Sequence, residues 1–236
     1  YGKEYLVDLE KITRAYLGLG AHERKWEFET GHKSPEFSSV GYFESEIFDP
    51  GSWRPTYPNP AFENATLRDA FWGAKIVSSF KDEHIRSIVE SAQMSNQSAA
   101  GFLIKTLIAR RDKIARYWFS RINPLDKFKV ENGASLSFDD LAITAGVAEQ
   151  EGTIYTYTIS RGSAALTAGV QQTKSTSISL APIRRHLQEN RSSSTRTYVV
   201  ELNTLRNGAP VGKQIKIHLL PDAAEGHKVV GIEREE

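Results

Sequence analysis

Cysteine is absent from this chain of 236 residues, so disulfides, thiolate catalysis and metal sites built on cysteine are excluded. An oxidising compartment is then permitted, although nothing in the composition requires one. Long apolar runs are also missing: no stretch of about 18 apolar residues exists, so we predict no membrane-spanning segment. The first residues do not follow the basic-then-apolar pattern of a signal peptide. An exported location, periplasmic or cell-surface, stays open.

The chain also lacks an excess of either positive or negative charge. The chain has 30 Lys and Arg residues against 29 Asp and Glu residues, for a formal net charge of +1. Nucleic-acid and anionic-membrane binders usually carry a strong basic patch or run, which this sequence lacks. We therefore predict no nucleic-acid partner. A protein partner is expected, no cofactor is predicted, and the sequence identifies no small-molecule ligand.

The first half, residues 1–127, is predicted to be an irregular segment followed by a helical domain. Helices are expected to begin near Thr66 and Asp82, because hydroxyl and carboxylate side chains cap helix N-termini. A third helix is predicted from about Ser98 to Ile122, where Asn-Pro ends it. The first of these helices carries two apolar stripes, and we expect both to be covered. They comprise Leu67, Phe71 and Ala74 on one side, and Trp72, Ile76 and Phe80 on the other.

The second half, residues 128–236, changes to a period of two, which is typical of strands. Asn132-Gly133 predicts a hairpin turn, and about seven short strands with turns between them indicate a small β-sandwich. The Ser/Thr/Gly-rich residues 160–177 are predicted to be a mobile loop, and a short helix is expected near residue 181. The predicted fold class is α+β: a mainly helical N-terminal half followed by a β-sandwich-like (Ig/fibronectin-like) domain.

Motifs for catalysis or metal binding are weak. "GAPVGKQ" (208–214) differs from a phosphate-binding loop in spacing and in its last residue, and it lies between two predicted strands. The six histidines form no compact ligand spacing, so no metal site is predicted. Asp82, Glu83 and His84 could perform acid-base chemistry, but acidic residues in a first helical turn are also explained by the helix dipole. We assign no catalytic residue.

The strongest unusual feature is a run of four charges inside an amphipathic helix. Helical spacing puts Arg111 within the apolar arc and Arg110 on its flank, while Asp112 and Lys113 are predicted to point into solvent. A guanidinium in an apolar arc needs oxygen partners. Either Arg111 forms an internal ion pair, or Arg110 and Arg111 face a phosphate or carboxylate ligand. The acids available for an internal pair are Asp69, Asp82, Glu90 and Asp126.

A second candidate surface is the proline-rich segment "WRPTYPNPAF" (53–62), whose prolines predict an extended loop. Trp53 and Tyr57 could bind a sugar or a peptide there. The alternative is that these aromatic side chains only pin the loop to its domain.

The stretches "VGYFESEIFDPGSWRPTYPNPAFENATLRDAFWGAKIVSSFKDEHIRSIVESAQ" and "LIARRDKIARYWFSRINPLDKF", within about residues 40–128, resemble the C-terminal region of a family of large, uncharacterised bacterial proteins. Members of that family carry a divergent kinase-like region upstream. The resemblance implies that the catalytic loop of such a region precedes "YGKEYLVDLEKI", so no catalytic residue is carried over. A chain that starts at Tyr1 suggests either a fragment or a processed mature protein.

Three functions follow from these observations. The favoured prediction is a non-catalytic structural or binding region that mediates protein–protein assembly, so that this chain alone is not an enzyme. The first alternative is the C-terminal part of a kinase-like phosphotransferase, with Arg110 and Arg111 aiding an anionic substrate. The second alternative is an exported surface-binding module.

Overall fold

The computed structural model describes residues 9–20, 36–52, 59–189, 197–222 and 226–234. Within these ranges the chain has seven helices and ten strands, and all of its strand pairs are antiparallel. The protein is therefore an α+β protein, as the sequence predicts.

Five helices lie in the N-terminal half of the described chain, in the order α1 (Leu9–Leu17), α2 (Pro60–Glu63), α3 (Leu67–Ser78), α4 (Asp82–Ser91) and α5 (Gln97–Phe119). Local chemistry accounts for several of their ends. The side chain of Asn59 accepts a hydrogen bond from the amide of Ala61 at the start of α2. Asn96 accepts from the amides of Ser98 and Ala99 at the start of α5. These bonds satisfy amides that have no partner within the helix.

The predicted covering of α3 is only half correct. Phe71 and Ala74 on its first stripe are buried at 5% and 2% exposure, whereas Leu67 at the start of that stripe is 45% exposed. The second stripe is exposed instead, with Trp72 at 65%, Ile76 at 40% and Phe80 at 42%. An apolar stripe satisfies the same periodicity whether or not a partner covers it, so the pattern alone could not separate the two cases.

Ten short strands fill the rest of the described chain. They are β1 (Leu125–Glu131), β2 (Ser135–Asp140), β3 (Thr153–Arg161), β4 (Ala164–Ala165), β5 (Gln171–Thr173), β6 (Ser177–Ser179), β7 (Tyr198–Arg206), β8 (Ala209–Pro210), β9 (Ile215–Asp222) and β10 (Gly226–Arg234). Two helices interrupt them, α6 (Leu141–Thr144) and α7 (Ala181–Glu189). The predicted helix near residue 181 is thus confirmed. The predicted mobile loop at 160–177 is wrong, because β4 and β5 lie within it and pair with β3.

The strands form two sheets. One has the order β1-β2-β6; the other has the order β10-β9-β7-β3-β4, with β5 also paired to β3 and β8 to β7. Asn132 and Gly133 have φ of 50° and 62°, which confirms the predicted hairpin turn between β1 and β2. Asn207 and Gly208 make a similar turn between β7 and β8.

One hydrophobic core takes side chains from both sheets and from α7. Its buried residues are Leu125, Val130, Leu136, Phe138, Tyr155, Ile159, Ile178, Leu180, Ile183, Tyr198, Val200, Leu202, Ile215, Ile217 and Leu219. Alternate residues of β7 and β9 point into it, as period-two patterning requires. Each fully buried large apolar side chain contributes roughly 1.5–3 kcal/mol relative to exposure.

A charged group also joins the two sheets inside this unit. Asp140, at the end of β2, is 3% exposed, and its carboxylate accepts two hydrogen bonds of 2.9 and 3.0 Å from Arg206 on β7. The hydroxyl of Tyr155 on β3 donates to the same carboxylate at 3.0 Å. Asp140 also caps α6, accepting from the amide of Ala142 at 3.1 Å. Burial and the charge of Asp140 raise the pKa of Tyr155, which keeps the phenol protonated as a donor.

The chain divides into two compact units, residues 1–66 with 76–114 and residues 67–75 with 115–236. The start of α3 and the end of α5 therefore belong with the strands. Within that second unit Phe71 packs against Phe119, with ring centroids 6.1 Å apart, and Lys75 forms an ion pair with Asp126. The domain boundary that the sequence predicts, between residues 127 and 128, stays a prediction.

Gly212 should be intolerant of any side chain. Its φ is +62°, and a Cβ there would lie 2.3 Å from the backbone nitrogen of Asn123 and 2.7 Å from the carbonyl carbon of Ile122. We expect Gly212→Ala to lower the free energy of unfolding by roughly 2–5 kcal/mol, from backbone strain plus the clash. Urea denaturation measures this loss.

Gly146→Ala is the matched control. Gly146 has φ +67° but no atom within 4 Å of the added Cβ, so only the strain of roughly 1–2 kcal/mol is expected. Equal losses in the two variants would contradict the close approach at Gly212.

Candidate functional site

Arg110 is held by one short segment of the helical unit, residues 43–48. Its Nε and Nη2 donate to the carbonyl oxygen of Glu44 at 2.9 and 2.6 Å. Its guanidinium carbon lies 3.9 Å from the ring centroid of Phe43 and 4.8 Å from that of Phe48. A guanidinium stacked on aromatic rings and bonded to a carbonyl acts as a packing element.

Arg111 is committed to oxygen atoms of the same unit. Its Nη1 lies 2.7 Å from Oδ1 of Asp82 and donates to the carbonyl of Phe80 at 2.8 Å. Its Nε and Nη2 donate to Oδ1 of Asp112 at 2.9 and 2.7 Å. Burial alone would lower the pKa of Arg111, but the hydrogen bonds and charges of Asp112 and Asp82 outweigh it and raise the pKa. The structure thus forms one of the internal ion pairs that the sequence allowed.

Lys113 and Asp112 correct the sequence prediction, because neither simply points into solvent. Asp112 pairs with Arg111, and Nζ of Lys113 donates to the carbonyls of Ser45 at 2.5 Å, Glu46 at 3.0 Å and Phe48 at 3.3 Å. Carbonyl acceptors are common to all residues, so no sequence signal could have revealed this contact. Arg110 and Lys113 together fasten residues 43–48 to α5, which answers why the helix carries consecutive charges.

Trp53 and Tyr57, the other two predicted ligand-binding residues, lie outside the residues that the structure describes. Asp82 and Glu83 fall in the first turn of α4, where the helix dipole favours carboxylates. His84 accepts a hydrogen bond from the amide of Lys81 at 3.3 Å, a capping contact at the start of α4. All three residues suggested for acid-base chemistry therefore have a structural role at the start of α4.

No metal-ligand cluster of three or more His, Asp or Glu side chains occurs among the described residues. Within the same ranges, no helix combines the length and the apolarity that crossing a bilayer requires.

The candidate site is a groove in the β-rich unit, which we name the His227 groove. Its volume is about 830 Å³, and it lies between the turn that joins β1 to β2, one side of α7 and the start of β10. Its lining comprises residues 129–133, Arg184, Leu187, Gln188, Gly226 and His227.

Two glycines leave part of the groove lined by bare backbone. Gly226 has φ +76°, and a Cβ there would lie 3.1 Å from Cα of Gly133. The turn residue and the first residue of β10 therefore approach closely because neither carries a side chain. The absence of side chains at these two positions leaves room for a ligand to approach the backbone closely.

His227 is the unusual member of the groove. It is 1% exposed, and neither Nδ1 nor Nε2 has a hydrogen-bond partner among the described residues. Its ring packs edge-on against Tyr198, with centroids 5.9 Å apart, and the hydroxyl of Tyr198 lies 3.3 Å from Nδ1 of His186. A buried polar group is normally hydrogen-bonded, so two unpaired nitrogens call for an explanation.

Burial lowers the pKa of His227, so the ring is neutral near pH 7. A neutral imidazole has one donor and one acceptor nitrogen. The groove lining combines the exposed cations Lys129 and Arg184, the half-buried apolar side chain of Leu187 and the ring of His227, whose nitrogens are shielded from solvent. This set suits binding of a polar, partly acidic ligand. The sequence predicted none of these residues, since they are separated by up to about a hundred positions and follow no motif.

Comparison with known proteins adds no assignment, because no family model, no curated protein and no solved structure matches this chain. The family resemblance of residues 40–128 therefore stays a hypothesis.

Replacing Arg111 with Leu should weaken folding. The side chains of Arg111, Asp112 and Asp82 are 15%, 36% and 59% exposed, so the stranded acids regain water. We expect a loss of roughly 1–2 kcal/mol, less than for a fully buried pair. Urea denaturation checks this, with Arg116→Leu, an exposed position on the same helix, as the control. Equal stability of Arg111→Leu and the unaltered chain would contradict the role of Arg111 as an internal fastener.

The pKa of His227 predicts a pH dependence of stability. The folded state disfavours the protonated ring, so its contribution is complete above the ordinary histidine pKa of about 6.5 and is lost as the pH falls through that value. The loss reaches at most about 1.4 kcal/mol per pH unit for one proton. We expect His227→Phe to lack this component when unfolding is measured by urea between about pH 7.5 and 5.5.

His186, Glu131 and the other titratable groups near the groove remain in both proteins, so their effects cancel in the difference between the two curves. His227→Phe also removes two unpaired buried nitrogens, so its stability near pH 7.5 should equal or exceed that of the unaltered chain. Parallel pH curves would rule out the buried neutral imidazole.

Proposed function

We propose that this chain is a non-catalytic binding region that mediates protein–protein assembly, and that the His227 groove receives a segment of the partner. The observation that carries the proposal is a groove of about 830 Å³ whose lining combines the exposed cations Lys129 and Arg184 with bare backbone at Gly226.

The chemistry of the groove favours an extended peptide with an acidic side chain. A peptide backbone offers one donor and one acceptor per residue. The bare backbone at Gly133 and Gly226 offers further peptide-like groups. Lys129 and Arg184 are exposed cations, whereas the carboxylate of Glu131 accepts a hydrogen bond from Ser137 at 3.0 Å. An acidic side chain in the partner would complement these two cations.

A finer description of residues 128–236 belongs to the same proposal: an Ig/fibronectin-like β-sandwich. The shared core of the two antiparallel sheets supports it, as does the alternation of buried residues along β7 and β9. Domains of this architecture commonly present turns and strand ends to partners, and the His227 groove is built from such elements.

The phosphotransferase alternative assigned Arg110 and Arg111 to an anionic substrate. Both guanidinium groups donate to protein oxygens within the helical unit, so their geometry gives that alternative no support. No described feature bears on the exported-module alternative.

A defined peptide library tests the proposal. The full chain is immobilised and panned against a random dodecapeptide library, and the enriched peptides are synthesised. We expect enrichment of sequences with an acidic residue flanked by an apolar one. Titration followed by ¹H–¹⁵N NMR should then shift the signals of residues 129–133, 184–188 and 226–227.

Charge reversal provides the control. Arg184→Glu and Lys129→Glu should each lower the affinity for the selected peptide by about tenfold, because attraction to its acidic residue becomes repulsion. Arg185→Glu changes an exposed neighbour on α7 that does not line the groove, and it should leave affinity within about twofold. The absence of any enriched peptide, or equal weakening by all three variants, would overturn the proposal.

A further inference from the structure

A second cavity in the β-rich unit is lined by four cations from four separate parts of the chain. Its volume is about 30 Å³, and we name it the Arg234 cavity. The cations are Arg68 at the start of α3, Arg121 after the end of α5, Lys213 in the turn before β9, and Arg234 at the end of β10. The other lining residues are Leu67, Ile122, Asn123 and Ile215, so the lining contains no carboxylate.

Two of these cations are uncommitted. Arg68 and Lys213 are exposed, and within the described part of the chain the side chain of neither forms a hydrogen bond or an ion pair. Long cationic side chains that converge on one cavity without acidic partners repel one another. An anion bound between them would reduce that repulsion.

The other two cations are held in place by protein groups. Nη1 of Arg234 donates to the carbonyl of Asn123 at 2.8 Å, and Nη2 donates to the carbonyl of Leu125. The guanidinium carbon of Arg234 lies 4.0 Å from the ring centroid of Phe71. The guanidinium carbon of Arg121 lies 3.6 Å from the ring centroid of Tyr117. Such fixed guanidinium groups are preorganised, so an anion would order few additional side chains on binding.

Burial and two nearby charges determine the electrostatic environment of Arg234. Burial is the main cause that lowers the pKa of Arg234 to about 10; the charge of Asp126 opposes this shift, and the charge of Arg68 adds a smaller lowering effect. Asp126 lies 3.7 Å from Arg234 but is shared with Lys75, with which it forms an ion pair. The first residue of α3 also lines the cavity, and the N-terminal end of a helix carries a partial positive charge.

We propose that the Arg234 cavity binds a compact oxyanion, namely the terminal phosphoryl group of a small phosphomonoester. A cavity needs a volume of roughly 10–15 Å³ to hold one water molecule. The Arg234 cavity, at about 30 Å³, therefore accommodates a group of a few atoms and not a whole nucleotide. Guanidinium and ammonium donors form strong charge-assisted hydrogen bonds with phosphoryl oxygens. The remainder of the ligand would lie outside the cavity, beside the exposed ends of Arg68 and Lys213.

Titration of the full chain tests this at low ionic strength, with inorganic phosphate and glycerol 3-phosphate in separate arms. Saturable shifts of the ¹H–¹⁵N NMR signals of residues 67–68, 121–123 and 213–215 are expected with both. Tighter binding of glycerol 3-phosphate identifies a phosphomonoester as the ligand class, whereas equal or weaker binding than inorganic phosphate overturns that assignment.

The double variant Arg68→Gln and Lys213→Gln removes two exposed charges and should bind at least about tenfold more weakly, since charge-assisted bonds are lost. Its thermal unfolding should match that of the unaltered chain. The matched control is Arg185→Gln with Lys174→Gln, two exposed cations that do not line the cavity. Equal weakening in both double variants, or no saturable shift at millimolar phosphate, would overturn the proposal.

Discussion

The hydrogen-bonded pair of Asp140 and Arg206 is the contact on which the β-rich unit depends. Asp140 sits at the end of one sheet, Arg206 and Tyr155 lie in the other, and the same carboxylate caps α6. A buried carboxylate is stable only if its oxygens are hydrogen-bonded, so this requirement specifies how the two sheets meet. The surrounding apolar core supplies most of the stabilisation, while the pair restricts the register in which that core can form.

The same requirement separates structural charges from candidate binding groups elsewhere in the chain. Arg110, Arg111 and Lys113 donate to carbonyl and carboxylate oxygens of their own unit, and their role is to hold residues 43–48 and the start of α4 on α5. His227 has unpaired nitrogens, and Arg68 and Lys213 have no acidic partner in the described chain. Exposed polar groups that the fold leaves without partners, such as Arg68 and Lys213, are the ones that a ligand can satisfy.

Sequence patterns predicted the local elements well, for reasons that can be traced to individual residues. Asn132-Gly133 predicted a hairpin because both residues tolerate positive φ, and the alternation in β7 predicted a buried strand face. The errors arose where the outcome depends on a distant partner. The stripe of Trp72, Ile76 and Phe80 is periodic but exposed, and Lys113 looks like a surface residue yet donates to three carbonyls.

By itself, the sequence determined that the protein has helices before strands, where several helices and turns begin, and that cysteine chemistry is excluded. Those properties depend on the conformational preferences of neighbouring residues and on composition. Only the tertiary structure decided that Arg111 pairs with Asp82 and that His227 lines a groove. It also brought together the four cations that line one cavity, namely Arg68, Arg121, Lys213 and Arg234. Backbone oxygens are the same at every position and long-range approach leaves no local pattern, so such pairings become visible only when the chain is folded.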